Sequence, residues 1–148
     1  MEIKSSAFGH NGDIPSKYTC DGEDINPPFV VGDLPENTKS LVLIMDDPDA
    51  TAGITFDHWI MWNISPEKGE VGENDVPSGA LQGLTGFGKN KYGGPCPPRG
   101  NASHRYMFKF YALDIMLDLP EGSKKSDVEN AMQDHVLEQA TIIGLYGR

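Results

Sequence analysis

The chain has 148 residues with 12 Lys+Arg against 22 Asp+Glu, a formal net charge of -10 at pH 7. That length suits one domain, residues 1–148, able to bury roughly two-thirds of its unfolded surface, and no repeat or low-complexity linker divides it. The acidic balance repels polyanions at long range, which argues against nucleic acid and against anionic membrane surfaces as partners.

Residues 1–15 carry Glu2, Lys4, His10 and Asp13 and no apolar core of a leader, so the expectation is a cytoplasmic protein without stable membrane association. Two cysteines, Cys20 and Cys96, are too few for a disulfide scaffold. Each reads as a small buried residue, with a single bridge between them left open. Glycine (17) and proline (11) together exceed the roughly 12% of an average chain. Many tight turns and few long helices follow, which favours a β architecture.

Ser40 to Met45 is a continuous apolar run ending at acidic residues and a proline, the pattern of a strand buried on both faces. Asp47 follows it directly, and Pro48 holds the aspartate extended. From His58 to Ile64 the chain alternates, which predicts His58, Ile60, Trp62 and Ile64 on one face and Trp59, Met61 and Asn63 on the other. The two tryptophans read as core. Gly93 to Gly100 is a loop stiffened by Pro95, Pro97 and Pro98, in which Gly93 and Gly94 allow backbone N–H groups close to an anion. Arg105 to Leu113 predicts a third strand, with His104, Tyr106, Phe108, Phe110 and Ala112 sharing a face and Arg105 pointing away. One helix is expected near the end. Ser126 to Glu129 has capping-box spacing, and Val128, Ala131, Met132, His135, Val136 and Ala140 follow at helical intervals. His135 then reads as a packed histidine, and Thr141 to Tyr146 as a last strand.

The strand ends collect Asp47, Asp49, His58, Tyr92, His104 and Tyr106 beside the proline loop. An aspartate within a few ångström favours an imidazolium, raising a histidine above its usual value of about 6.5, and such cations accept phosphate or carboxylate. The same side chains allow a rival reading, a hydrolase or metal-dependent enzyme, and Cys96 near His104 suggests a nucleophilic pair. No H-E-x-x-H, G-x-S-x-G or paired Cys-x-x-Cys supports it. The expectation is therefore a binding protein that is not an enzyme and needs no metal and no cofactor.

The motifs Tyr18 to Gly22, D-P-D-A at Asp47 to Ala50, H-W-I-M-W-N-I at His58 to Ile64, Y-G-G-P-C-P-P at Tyr92 to Pro98, H-R-Y at His104 to Tyr106 and G-L-Y-G-R at Gly144 to Arg148 occur in one order over nearly the whole chain. In this the chain resembles the phosphatidylethanolamine-binding, or Raf kinase inhibitor-like, proteins in their short bacterial and archaeal form. The resemblance implies a mainly β, two-sheet antiparallel β-sandwich with a C-terminal helix packed on it. It implies a pocket for phosphate-type head groups lined by Asp47, Asp49, His58, Tyr92, Pro98, His104 and Tyr106. As partners it implies a small phosphorylated or carboxylated ligand and a regulated kinase or protease, and it allows a homodimer. The chain departs from the family string at Thr51, where a proline usually follows D-P-D-A, and at Ala102 and Ser103, so pocket width and loop mobility need not match.

Overall fold

A computed structural model describes residues 1–148. Its strands are β1 (Glu2–Lys4), β2 (Gly12–Asp13), β3 (Phe29–Gly32), β4 (Ser40–Asp47), β5 (Phe56–Ile64), β6 (Glu70–Val71), β7 (Leu81–Gln82), β8 (His104–Leu113) and β9 (Val136–Tyr146), with one α-helix, α1 (Lys125–Met132). They form a six-stranded sheet in the order β2-β9-β8-β4-β5-β7 and a three-stranded sheet in the order β1-β3-β6. The fold is mainly β, as the sequence predicts, and has the two sheets that the family resemblance implies. It is not antiparallel throughout, because the short β2 runs parallel to β9, with Gly12 opposite Gly144.

The wholly apolar β4 is explained by its central place in the large sheet. Leu41, Leu43 and Met45 face the small sheet and share one core with Phe29 and Val31 of β3 and with Phe108 and Phe110 of the neighbouring β8. Val42 and Ile44 face the other way, onto Ile60, Trp62, Val128 and Met132 beneath α1. Phe29 is the hinge of the inter-sheet core, with ring centroids 4.9 Å from Phe108 and 5.4 Å from Phe110. The helix is also tied electrostatically. Lys125 Nζ lies 2.7 Å from Asp57 and 3.5 Å from the buried Asp46, which Lys109 also meets at 3.0 Å.

Two irregularities break the simple alternation along β5. The pairing steps from Leu41–Ile64 to Leu43–Met61 and again from Met45–Trp59 to Asp46–Asp57, each time leaving an extra residue on β5. At the first, Asn63 has a positive φ of 57°, and its amide both donates to and accepts from the backbone of Leu117. Ile64 is thereby moved to the Trp59 and Met61 face, away from Ile60 and Trp62. At the second, His58 is the extra residue. A bulge re-aims the side chain it carries, and His58 leaves the face of Ile60 and Trp62.

The helix is shorter than the periodicity predicts. It begins at Lys125, one residue before the expected cap at Ser126, and the Asp127 carboxylate accepts the Lys124 N–H at 2.9 Å. It ends at Met132, and Asp134 has φ 68°. Val136 and Ala140 lie on β9, because Val136 pairs with Leu113 and Ala140 with Phe110 on β8. Ten ladder pairs with β8 override a local helical pattern that propensity alone sets weakly. His135 sits in the connecting turn, with Nδ1 2.9 Å from Asp114 Oδ1, so it is a half-exposed partner of a carboxylate.

The cysteines are also not free small residues. Cys20 and Cys96 form a disulfide across 76 residues, and both are exposed. No helix is long and apolar enough to cross a membrane.

Candidate functional site

At one edge of the large sheet, the end of β4 and the starts of β5 and β8 converge on a cavity of about 230 Å³. Asp47, Phe56, His58, His104 and Tyr106 come from the strands; Ala50 and Thr51 come from the β4–β5 turn; Phe87, Cys96, Pro97 and Pro98 form the remaining wall. The volume is below the roughly 300–1,000 Å³ of sites that enclose drug-sized ligands. A single small group fits, not a whole lipid.

The buried Asp47 carboxylate is fully committed. One oxygen accepts the Asp49 N–H at 2.8 Å, closing the turn around Pro48. The other lies 2.8 Å from His104 Nδ1. An ionised carboxylate only accepts, so Nδ1 carries the hydrogen and Nε2 is the ring nitrogen left for a ligand. His58 is oriented in the same sense by a different partner. Its Nδ1 lies 2.7 Å from the Gly93 carbonyl oxygen, which again accepts, and the Gly93 N–H donates back to the His58 carbonyl at 3.0 Å.

The expectation that a nearby aspartate raises a histidine here does not hold for His58. Burial holds the His58 ring below the ordinary histidine range, outweighing the Gly93 hydrogen bond and the more distant Asp47 charge. His58 is thus a neutral ring whose Nε2 accepts. Tyr106 lies between the two imidazoles, 5.3 Å from His58 edge-on and 6.3 Å from His104 nearly parallel. Burial raises its phenol well above the usual range, so it stays a neutral donor.

Five of the seven sequence-derived site residues come together here: Asp47, His58, Pro98, His104 and Tyr106. Asp49 lies outside the cavity. Its carboxylate takes the Arg105 backbone N–H and grips the guanidinium from both oxygens at 2.8 and 2.9 Å, bracing the β4–β5 turn against β8. Arg105 beside it holds the Asp49 carboxyl down to about 2. Tyr92 is likewise a support. It is buried behind the loop, donates its hydroxyl to the Tyr18 carbonyl at 2.7 Å and meets Trp59 edge-on.

Sequence reasoning missed Phe56 and Phe87. Their rings lie 4.9 Å apart, and each packs edge-on to His58. The available signal was glycine: a Cβ on Gly93 would stand 2.2 Å from the Phe87 ring, so the loop residue is glycine because an aromatic side chain occupies that space.

Comparison with known proteins decides the family. A family model described as phosphatidylethanolamine-binding protein matches residues 4–147. The chain belongs to the phosphatidylethanolamine-binding protein family. Within it, the chain is 51% identical to the UPF0098 protein PH1269 of Pyrococcus horikoshii, over all of this chain and 78% of that one. It is 48% identical to a UPF0098 protein of Methanothermobacter thermautotrophicus, covering all of this chain and 99% of the relative. Among solved structures of the family, a phosphatidylethanolamine-binding-protein homologue from Chlamydia trachomatis superposes with a TM-score of 0.92 at 39% identity, covering 99% of this chain and 96% of that one. YbcL of E. coli superposes with the same TM-score at 26% identity, covering 99% and 98%.

Proposed function

We propose that the cavity binds one small oxyanion of the phosphate-monoester or carboxylate class, free or displayed as a head group by a larger molecule. The observation that carries this reading is the shared orientation of two buried imidazoles. Both commit Nδ1–H to fixed acceptors, Asp47 and Gly93, and both keep Nε2 for a ligand. The Asp47 carboxylate 2.8 Å behind His104 favours a cationic ring once an anion is bound, so His104 takes up a proton with the ligand and donates from Nε2; the neutral His58 accepts at Nε2. That donor and acceptor pair complements a singly protonated phosphate, which offers O⁻ and O–H on one phosphorus. A phosphodiester lacks the O–H, so it is expected to bind less well.

Binding is favoured over catalysis because the candidate nucleophile is occupied. The Cys96 sulfur is bonded to Cys20, so no thiolate stands beside His104 in this state. No group of three or more His, Cys, Asp or Glu side chains is placed to hold a metal ion. Regulation of a partner protein, a kinase or a protease, is proposed as the consequence of an occupied pocket at the sheet edge.

The test is titration of the protein with inorganic phosphate and phosphorylethanolamine, followed by amide and imidazole chemical shifts. Shifts centred on Asp47, His58, His104 and Tyr106 are expected. Responses elsewhere with these residues unmoved would remove the assignment.

A further inference from the structure

We infer that the Cys20–Cys96 disulfide is a thiol–disulfide exchange site for a dithiol reductant, and that its redox state sets the ligand affinity of the cavity beside it. This rests on the pocket reading above.

The bond is placed where both its reaction and its effect are available. Cys20 and Cys96 are exposed. Cys96 lines the candidate ligand cavity, and both cysteines line a second cavity of about 200 Å³ that shares Phe87 and Cys96 with it. An attacking thiolate thus has an open approach to the sulfurs. Exposed disulfides are the labile ones, whereas structural bonds are shielded. The second cavity also carries Lys89 and Lys91, neither of which is among the ion-paired lysines, Lys4, Lys17, Lys109 and Lys125. Free cations favour an incoming thiolate.

The effect follows from what the bond holds. Residues 93–98 have no strand or helix of their own. Their ends are fastened elsewhere: Gly93 to His58 on β5, and the Pro97 carbonyl to the Arg148 guanidinium at 2.8 Å. The middle is fastened to residues 18–24 by the disulfide, by the Cys20 N–H on the Pro95 carbonyl at 3.1 Å and by the Gly94 N–H on Asp24 at 2.8 Å. The approach is close, since a Cβ on Gly94 would stand 2.3 Å from the Tyr18 carbonyl oxygen. Opening the bond leaves two hydrogen bonds to keep that contact. The sandwich core on Phe29, Phe108 and Phe110 has no part in it. Reduction therefore loosens the wall formed by Cys96, Pro97 and Pro98, and with it the Gly93 carbonyl that aims His58, without unfolding the domain.

A thiolate of the dithiol attacks one protein sulfur, the S–S bond breaks, and the other sulfur leaves as a thiolate that takes a proton. The second thiol of the reductant then resolves the mixed disulfide. Two electrons and two protons pass to the protein, which gains two thiols, and the reductant becomes a disulfide.

Inorganic phosphate is titrated by calorimetry into the oxidised protein, the protein reduced with excess dithiothreitol, the reoxidised protein, and the Cys20→Ser/Cys96→Ser double variant. Thiol counting and circular dichroism accompany each sample, and amide exchange is recorded over residues 93–98. Affinity is expected to fall about 5- to 50-fold on reduction, within the span of ordinary coupling between sites, to return on reoxidation, and to stay low in the double variant. Equal affinity of oxidised and reduced protein overturns the switch and leaves the pocket reading standing. If no form binds phosphate, the pocket reading fails, and amide exchange decides the switch: faster exchange confined to the loop on reduction supports it, unchanged exchange sinks it. A bond that native dithiol cannot open, or one whose loss unfolds the whole domain, also overturns the inference.

Discussion

Replacing Asp47 with asparagine isolates the charge behind His104 while keeping its shape. Asp47 accepts twice, from the Asp49 N–H and from His104 Nδ1; asparagine has one acceptor and one donor. The Asp49 N–H holds the acceptor, so the new NH₂ faces His104 Nδ1, which must then accept. The ring becomes neutral with its hydrogen on Nε2, and it still points a donor at the ligand. What is lost is the charge on that donor. Both donors meet an anionic oxygen, and hydrogen bonds to charged groups contribute about 1.5–3 kcal/mol; losing the cation moves this bond from the upper toward the lower end of that range, a difference of about 1–1.5 kcal/mol. The expected result is phosphate binding roughly five- to tenfold weaker at pH 7. The variant should also take up fewer protons on binding than the wild type, because its His104 needs none. Calorimetry at one pH in buffers of different ionisation enthalpy measures both quantities, and the ligand's own ionisation cancels between the two proteins. Simple charge repulsion predicts the opposite sign, since removal of a carboxylate would strengthen anion binding. Tighter binding by Asp47→Asn, or unchanged proton uptake, would refute the reasoning.

Three further outcomes are expected. Because burial depresses His58 in the folded state, the unfolded chain binds its proton first as the pH falls. Stability should therefore be retained above about 6.5 and decline from there down toward the lower folded value; chemical denaturation across that window should show the slope, and His58→Gln should flatten it. The disulfide spans 76 residues, for which the chain-entropy account gives about 4.5 kcal/mol. Cys20→Ser/Cys96→Ser should therefore unfold roughly 9–18 °C lower in calorimetry, while remaining folded at 25 °C. Arg105→Ala removes the brace on Asp49, but the pair is half-exposed and screened by solvent, so little is lost with it. Phosphate affinity should change less than about threefold, and a larger loss would place Asp49 in the site.

Composition and alternation alone carried the fold class. The doubly apolar Ser40 to Met45 run reads as a strand covered on both faces, and the Tyr106, Phe108, Phe110 face reads as core. Asp47, His58 and His104 were legible as a group through the ordered motifs around them. Tertiary pairing decided the rest. The 135–140 stretch has helical spacing, yet strand pairing with β8 claims Val136 onward because a full ladder outweighs local propensity. The same holds for His58: strict alternation places it with Ile60 and Trp62, and a one-residue bulge against β4 carries it to the opposite side, beside Tyr106. Which histidine receives the Asp47 carboxylate is also a matter of register, since β8 brings His104 to it while β5 delivers His58 to a backbone carbonyl. The bridge between Cys20 and Cys96 needed the loop to be folded against residues 18–24. Periodicity describes one element at a time; bulges, registers and loop contacts exist only between elements, and the cavity is made of them.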